Sequence, residues 1–155
     1  MKSQEWTLEL LLTPHASQYD TLAFFDDGVV RVTNLLFIAA GGATGALLRY
    51  WVSNGVYAFL GRGLPYGTLS VNVIGSLIMG LLYVFMIERM DVASQWRAGL
   101  MIGLLGAFTT FSSFSIETMN LLESGEQLRA GVNVLLNVTL CLIGCWAGLV
   151  IGREI

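Results

Sequence analysis

Charge is scarce in this chain: 12% of its 155 residues are Asp, Glu, Lys or Arg, while 55% are hydrophobic. Soluble domains carry about 25% charged residues, so an ordinary soluble fold is excluded, and a mean hydropathy of +0.69 points to a membrane protein. Histidine is nearly absent. His15 is the only one and lies in a polar N-terminal stretch, so one chain can build neither a histidine metal centre nor a membrane-embedded histidine base. The two cysteines, Cys141 and Cys145, fall one helical turn apart in an apolar segment. A disulfide between them would strain the helix, and two thiols alone are an incomplete metal site, so both read as packing residues. No basic patch points to nucleic acid. An enzyme, and metal-dependent membrane catalysis in particular, is not expected.

The charges that exist are unevenly placed. Up to residue 31 the chain holds Lys2 and Arg31 against Glu5, Glu9, Asp20, Asp26 and Asp27; beyond it six arginines balance six acids. Residues 1–31 have no sustained apolar run and no basic start leading into an apolar core, so they read as a polar, acidic, flexible tail rather than a signal peptide. Residues 32–155 read as the membrane domain.

Four apolar runs in that domain are each long enough to cross a bilayer, which takes about 20 helical residues. The first, about Thr33 to Leu60, holds Gly41, Gly42, Ala43, Thr44 and Gly45, a small-residue face suited to close helix packing. Arg49 follows beside Tyr50 and Trp51; it suits an interface anchor, a buried ion pair or an anion-attracting vestibule. A glycine-rich loop with Pro65 precedes Thr68, which is expected to cap the second span, about Leu69 to Ile87. There Asn72 and Ser76, four apart, make a polar stripe on an apolar rod. The third span runs from Trp96 to about Leu122, and the fourth, about Arg129 to Gly152, carries Asn133 and Asn137 on one stripe and Gly144, Gly148 and Gly152 on another.

The densest polar feature sits in the middle of the third span. Thr109, Thr110, Ser112, Ser113 and Ser115 are interleaved with Phe111 and Phe114. An unsatisfied hydroxyl in hydrocarbon costs several kcal/mol, so the cluster is expected to face protein, water or an ion. Taken singly, each hydroxyl can bond back to its own helix and each phenyl can simply pack. As a helix, the segment would put Phe111 and Phe114 on a shared face and Thr109 over Ser112 and Ser113. Glu117 is the only acid expected within a span, with Arg49 or the hydroxyls as candidate partners.

The runs GATGALLRY (Gly42–Tyr50), PYGTLSVNVIG (Pro65–Gly75) and GAFTTFSSFS (Gly106–Ser115), with Glu117, resemble the small fluoride channels of the Fluc/CrcB family. The resemblance extends in order from about Leu35 to Gly152. It implies an all-α integral membrane protein of the cell membrane, crossing it several times, with four helices per subunit and the third broken at its centre. It further implies an antiparallel dimer, with a homodimer expected, two narrow fluoride pores, and a structural Na⁺ held by backbone carbonyls at the dimer centre. By position, Phe111 and Phe114 would be ring edges along the fluoride path and Asn72 an amide donor. Thr110, Ser112, Ser113 and Glu117 would be polar-track residues, Arg49 a vestibule residue, and Gly106 and Thr109 the Na⁺ carbonyls. Ser113 replaces the usual threonine of the motif, Asn137 stands where a small hydroxyl residue is expected, and the acidic tail has no counterpart. The implied function is export of cytoplasmic fluoride down its gradient. Two other readings stay open: a small antiparallel multidrug exchanger, for which only Glu117 offers a coupling carboxylate, and a non-transporting membrane subunit. Arg89, Arg97 and Arg153, with Lys2 and Arg31, fall on one side of the membrane against Arg62 and Arg129 on the other, a weak orientation bias.

Overall fold

The computed structural model describes residues 32–90 and 92–155; the tail expected over 1–31 lies outside the described residues. Four long apolar helices, each sufficient to cross a membrane, account for nearly all of the rest. The first is α1, Val32–Leu60. The second is α2, Tyr66–Tyr83, prolonged by a π-helical turn over Val84–Arg89. The third span, Ser94–Glu123, is composite: α3 (Ser94–Arg97) runs through a π-helical stretch, Ala98–Leu105, into the short α4 (Gly106–Phe108), and after a break α5 covers Phe111–Glu123. The fourth is α6, Gln127–Glu154.

Two helix ends are made by glycine. Gly61 (φ 74°) follows α1 and Gly125 (φ 76°) follows α5, a left-handed conformation that costs glycine nothing. At the second, Gly125 N–H donates to Leu122 O (3.0 Å) and Glu126 N–H to Leu121 O (2.8 Å), which satisfies carbonyls a helix end would otherwise leave open. The second span starts differently from expectation. Thr68 is not its cap: the helix begins at Tyr66 behind Pro65, with no side-chain cap. Proline's fixed φ serves a helix start, which leaves the Thr68 hydroxyl for a partner on another span.

Lipid tails are as apolar as leucine, so close packing rather than burial from water holds such helices together. Both small-residue faces are used. A β-carbon at Gly41 would overlap the carbonyl of Gly99, and one at Gly45 the carbonyl of Leu104, so α1 lies directly on the third span. A β-carbon at Gly148 would overlap Leu77 O, and one at Gly80 would overlap Cys145 O, so α2 and α6 meet backbone to backbone. The third span is the most enclosed of the four and α1 the least. Its Leu105 and Phe108 join Val71 of α2 in the core, with Leu48, Val52, Ile78 and Leu82 around them. Large apolar side chains such as Leu36, Leu47, Leu135 and Leu142 point outward, as a lipid-facing surface requires.

Candidate functional site

The third span breaks at the expected cluster. Thr109 (φ −84°, ψ 161°) and Thr110 (φ −155°, ψ 115°) are extended, so the expected stacking of Thr109 over Ser112 and Ser113 does not form. Thr110 takes that place as the N-cap of α5: its Oγ1 accepts from Ser113 N–H at 3.1 Å and lies 3.0 Å from Ser113 Oγ and 3.2 Å from Ser112 Oγ. Threonine competes for local backbone donors in this way and favours helix starts over helix interiors.

Asn72 holds the break from α2. Its Oδ1 accepts from Thr110 N–H at 2.8 Å, and its Nδ2 donates to Thr110 O at 3.1 Å and to Asn137 Oδ1 at 3.1 Å. Asn137 Nδ2 donates on to Asn133 O (3.1 Å) and Oδ1 (3.0 Å), and Asn133 Nδ2 to Thr118 Oγ1 (2.8 Å). The asparagine face of the fourth span thus meets the third span at Thr118 and reaches its break through Asn72. Asn133 and Asn137 are 3% and 5% exposed, burial that uncompensated amides would not tolerate.

The capping and clamping have a consequence for two carbonyls. In an unbroken helix Gly106 O would accept from Thr110 N–H and Thr109 O from Ser113 N–H. Here the first donor goes to Asn72 and the second to Thr110 Oγ1.

Asn72, Thr109, Thr110, Phe111, Phe114 and Asn137 come together along one groove of about 420 Å³. The phenyl rings of Phe111 and Phe114 pair with centroids 5.2 Å apart and planes inclined at 56°. Phe114 is buried at 7% exposure, whereas Phe111 stands out at 77%. Ser76, Met79, Cys141 and Cys145 line the same groove.

Glu117 sits apart from this groove. Its Oε1 accepts from Thr68 Oγ1 (2.8 Å) and Tyr57 Oη (3.2 Å), while Oε2 is buried without a partner. It lines a second cavity, about 400 Å³, at the end of the bundle that carries Arg62 and Arg129. Arg49 lies half-buried in α1; the ion pairs among the described residues are Arg129–Glu126 and Arg153–Glu88, so Glu117 pairs with hydroxyls from other spans and not with Arg49 or the Thr/Ser cluster. Sequence reasoning missed Tyr57 and Thr68 as its partners, although Thr68 lies four residues before Asn72 on the same polar stripe.

Together these features define a small multi-pass membrane protein whose third span is broken around a phenyl-edged polar seam. The chain belongs to the CrcB family: the family model described as "CrcB-like protein, Camphor Resistance (CrcB)" matches residues 36–149, and that membership, together with four helices long and apolar enough to cross a bilayer, makes it a multi-pass protein of the cell membrane. It is similar to the fluoride-specific ion channel FluC of Coxiella burnetii, 51% identical over 123 residues, covering 79% of this chain and 99% of that one. The FluC of Geobacter sulfurreducens is 48% identical over 124 residues, covering 80% of this chain and 100% of its own. The FluC of Methylococcus capsulatus is 54% identical over 122 residues, 79% of this chain. Of that longer protein the chain spans 54%.

Proposed function

We propose that the protein is a fluoride channel that releases cytoplasmic fluoride down its electrochemical gradient and so relieves fluoride toxicity, acting as an antiparallel dimer of identical subunits. The observation that carries this reading is the groove at the broken span, where phenyl edges, hydroxyls and an amide meet in an otherwise apolar bundle. A phenyl edge is the positive part of the ring quadrupole. With hydroxyl and amide donors, it replaces part of an anion's hydration shell without holding the anion too tightly to leave.

In this reading Phe111, Phe114 and the Thr110 hydroxyl line the path, Ser112 and Ser113 support it through their hydroxyl contacts with Thr110 Oγ1, and Glu117 lies further along the polar track. Arg49 serves the vestibule. Asn72 contributes the amide. Its bond to Thr110 maintains the break, so its bond to Asn137 is the one a passing anion replaces. Gly106 and Thr109 fit the carbonyl half of a structural Na⁺ site, because the helical donors of both have other partners. One chain offers two such oxygens and an antiparallel copy two more, a hard-oxygen set suited to a small monovalent cation, whose charge would hold the two breaks together. The exchanger reading is weaker: Glu117, its only candidate carboxylate, is engaged by two hydroxyls and lies away from the groove.

The test is efflux from liposomes containing the purified protein, read in parallel with fluoride-selective and chloride-selective electrodes. Fast fluoride release without chloride release is expected. Absence of fluoride release from a folded dimer would refute the reading.

A further inference from the structure

Cys141 and Cys145 fall on one face of α6, one turn apart, and both are free thiols that line the groove. Two sulfurs are an incomplete ligand set, but the fold adds a third. Met79 of α2 lines the same cavity, and α2 is fixed against α6 at this level by the backbone contact of Gly80 with Cys145 O. The lining contains no carboxylate and no imidazole. Thiolate and thioether sulfurs select soft cations over hard ones.

We propose that Cys141, Cys145 and Met79 form a binding site for a soft monovalent cation of the copper(I) or silver(I) class, at which bound metal stops ion flow through the groove. The inhibitory part rests on the reading of the groove as the fluoride path. Each thiol that binds releases its proton to solvent, so a monovalent cation on two thiolates carries one net negative charge, with Met79 completing the set through a neutral sulfur. No electron is transferred. The product places a fixed negative charge in the groove that Phe111 and Phe114 also line, which opposes passage of a second anion.

Silver(I) is the probe, added as its nitrate in chloride-free buffer, where fluoride leaves it in solution. Reduced, purified protein is expected to retain one silver per chain after desalting. Its liposome efflux is expected to fall by about tenfold or more, corresponding to occupancy above roughly 90%, and to recover with excess competing thiol. The double variant Cys141→Ser, Cys145→Ser is expected to retain no silver, and its own efflux to be indifferent to silver. Met79→Leu, which keeps volume, is expected to weaken retention by about tenfold. Equal silver retention by wild type and the double serine variant would overturn the site, as would its absence from the wild type. Retention without inhibition would uphold the metal site and overturn the groove as the ion path, and retention is measured whether or not the protein conducts.

Discussion

Replacing Asn72 with Asp keeps the shape of the side chain and exchanges its NH₂ for an oxygen. The bond received from Thr110 N–H, 2.8 Å, survives. The two bonds donated at 3.1 Å, to Thr110 O and Asn137 Oδ1, become contacts between acceptors. Each buried group left without its partner costs about 1–3 kcal/mol, so the substitution should destabilise the folded chain by about 2–6 kcal/mol. A second penalty falls on the ion. A carboxylate within about 4 Å of a passing anion repels it by about 4 kcal/mol at an effective dielectric near 20, or roughly a thousandfold in occupancy. Liposome efflux and thermal unfolding of the detergent-solubilised protein separate the two effects. The expected result is a variant of lowered Tm whose residual folded fraction conducts at well under a tenth of the wild-type rate. An Asn72→Asp variant of unchanged Tm and full conduction would remove Asn72 both from the break and from the path.

The two phenyl positions should respond differently to isoleucine. Both Phe111→Ile and Phe114→Ile are expected to suppress fluoride efflux by about tenfold or more because the ring quadrupole is lost. Only Phe114→Ile should also lower stability, by about 1–2 kcal/mol, since Phe114 is 7% exposed and Phe111 77%; full flux in both variants would contradict a ring-lined path. Gly148→Val drives a side chain into the carbonyl of Leu77, and a loss of about 3 kcal/mol or more is expected, seen as a smaller monodisperse fraction on gel filtration; an unchanged profile would deny the α2–α6 contact. Thr68→Val removes the shorter of the two bonds to Glu117 and should cost about 1–3 kcal/mol in thermal unfolding, with Thr68→Ser restoring most of it; a neutral valine variant would show that the bond is dispensable.

The spans were legible because hydropathy over about 20 residues is a local property, and the glycine faces because four-residue spacing is read directly from the chain. Gly41, Gly45 and Gly148 accordingly meet other backbones as expected. The break was not legible in the residues themselves. Threonine and serine are tolerated inside helices, and the extended pair Thr109–Thr110 is held by Asn72, 38 positions earlier. Only the likeness to a family pointed to it. The expected cap at Thr68 failed for a related reason: a hydroxyl near a helix start is a local signal, but its partner Glu117 lies 49 positions away. The π-helical stretches Val84–Arg89 and Ala98–Leu105 left no mark in the hydrophobic pattern.

A carboxamide presents an N–H and a C=O side by side, as the two backbone groups of one extended residue do. Where Asn72 grips both backbone groups of Thr110, the second span contributes the rung that the third span's own ladder omits. The break is therefore a property of two spans in register rather than of one interrupted helix. Whatever slides α2 along its axis tugs on that rung, and α2 in turn is seated on α6 by the glycines at 80 and 148. A lesion buried in that glycine seat, remote from any ion, is thus a lesion of the break as well.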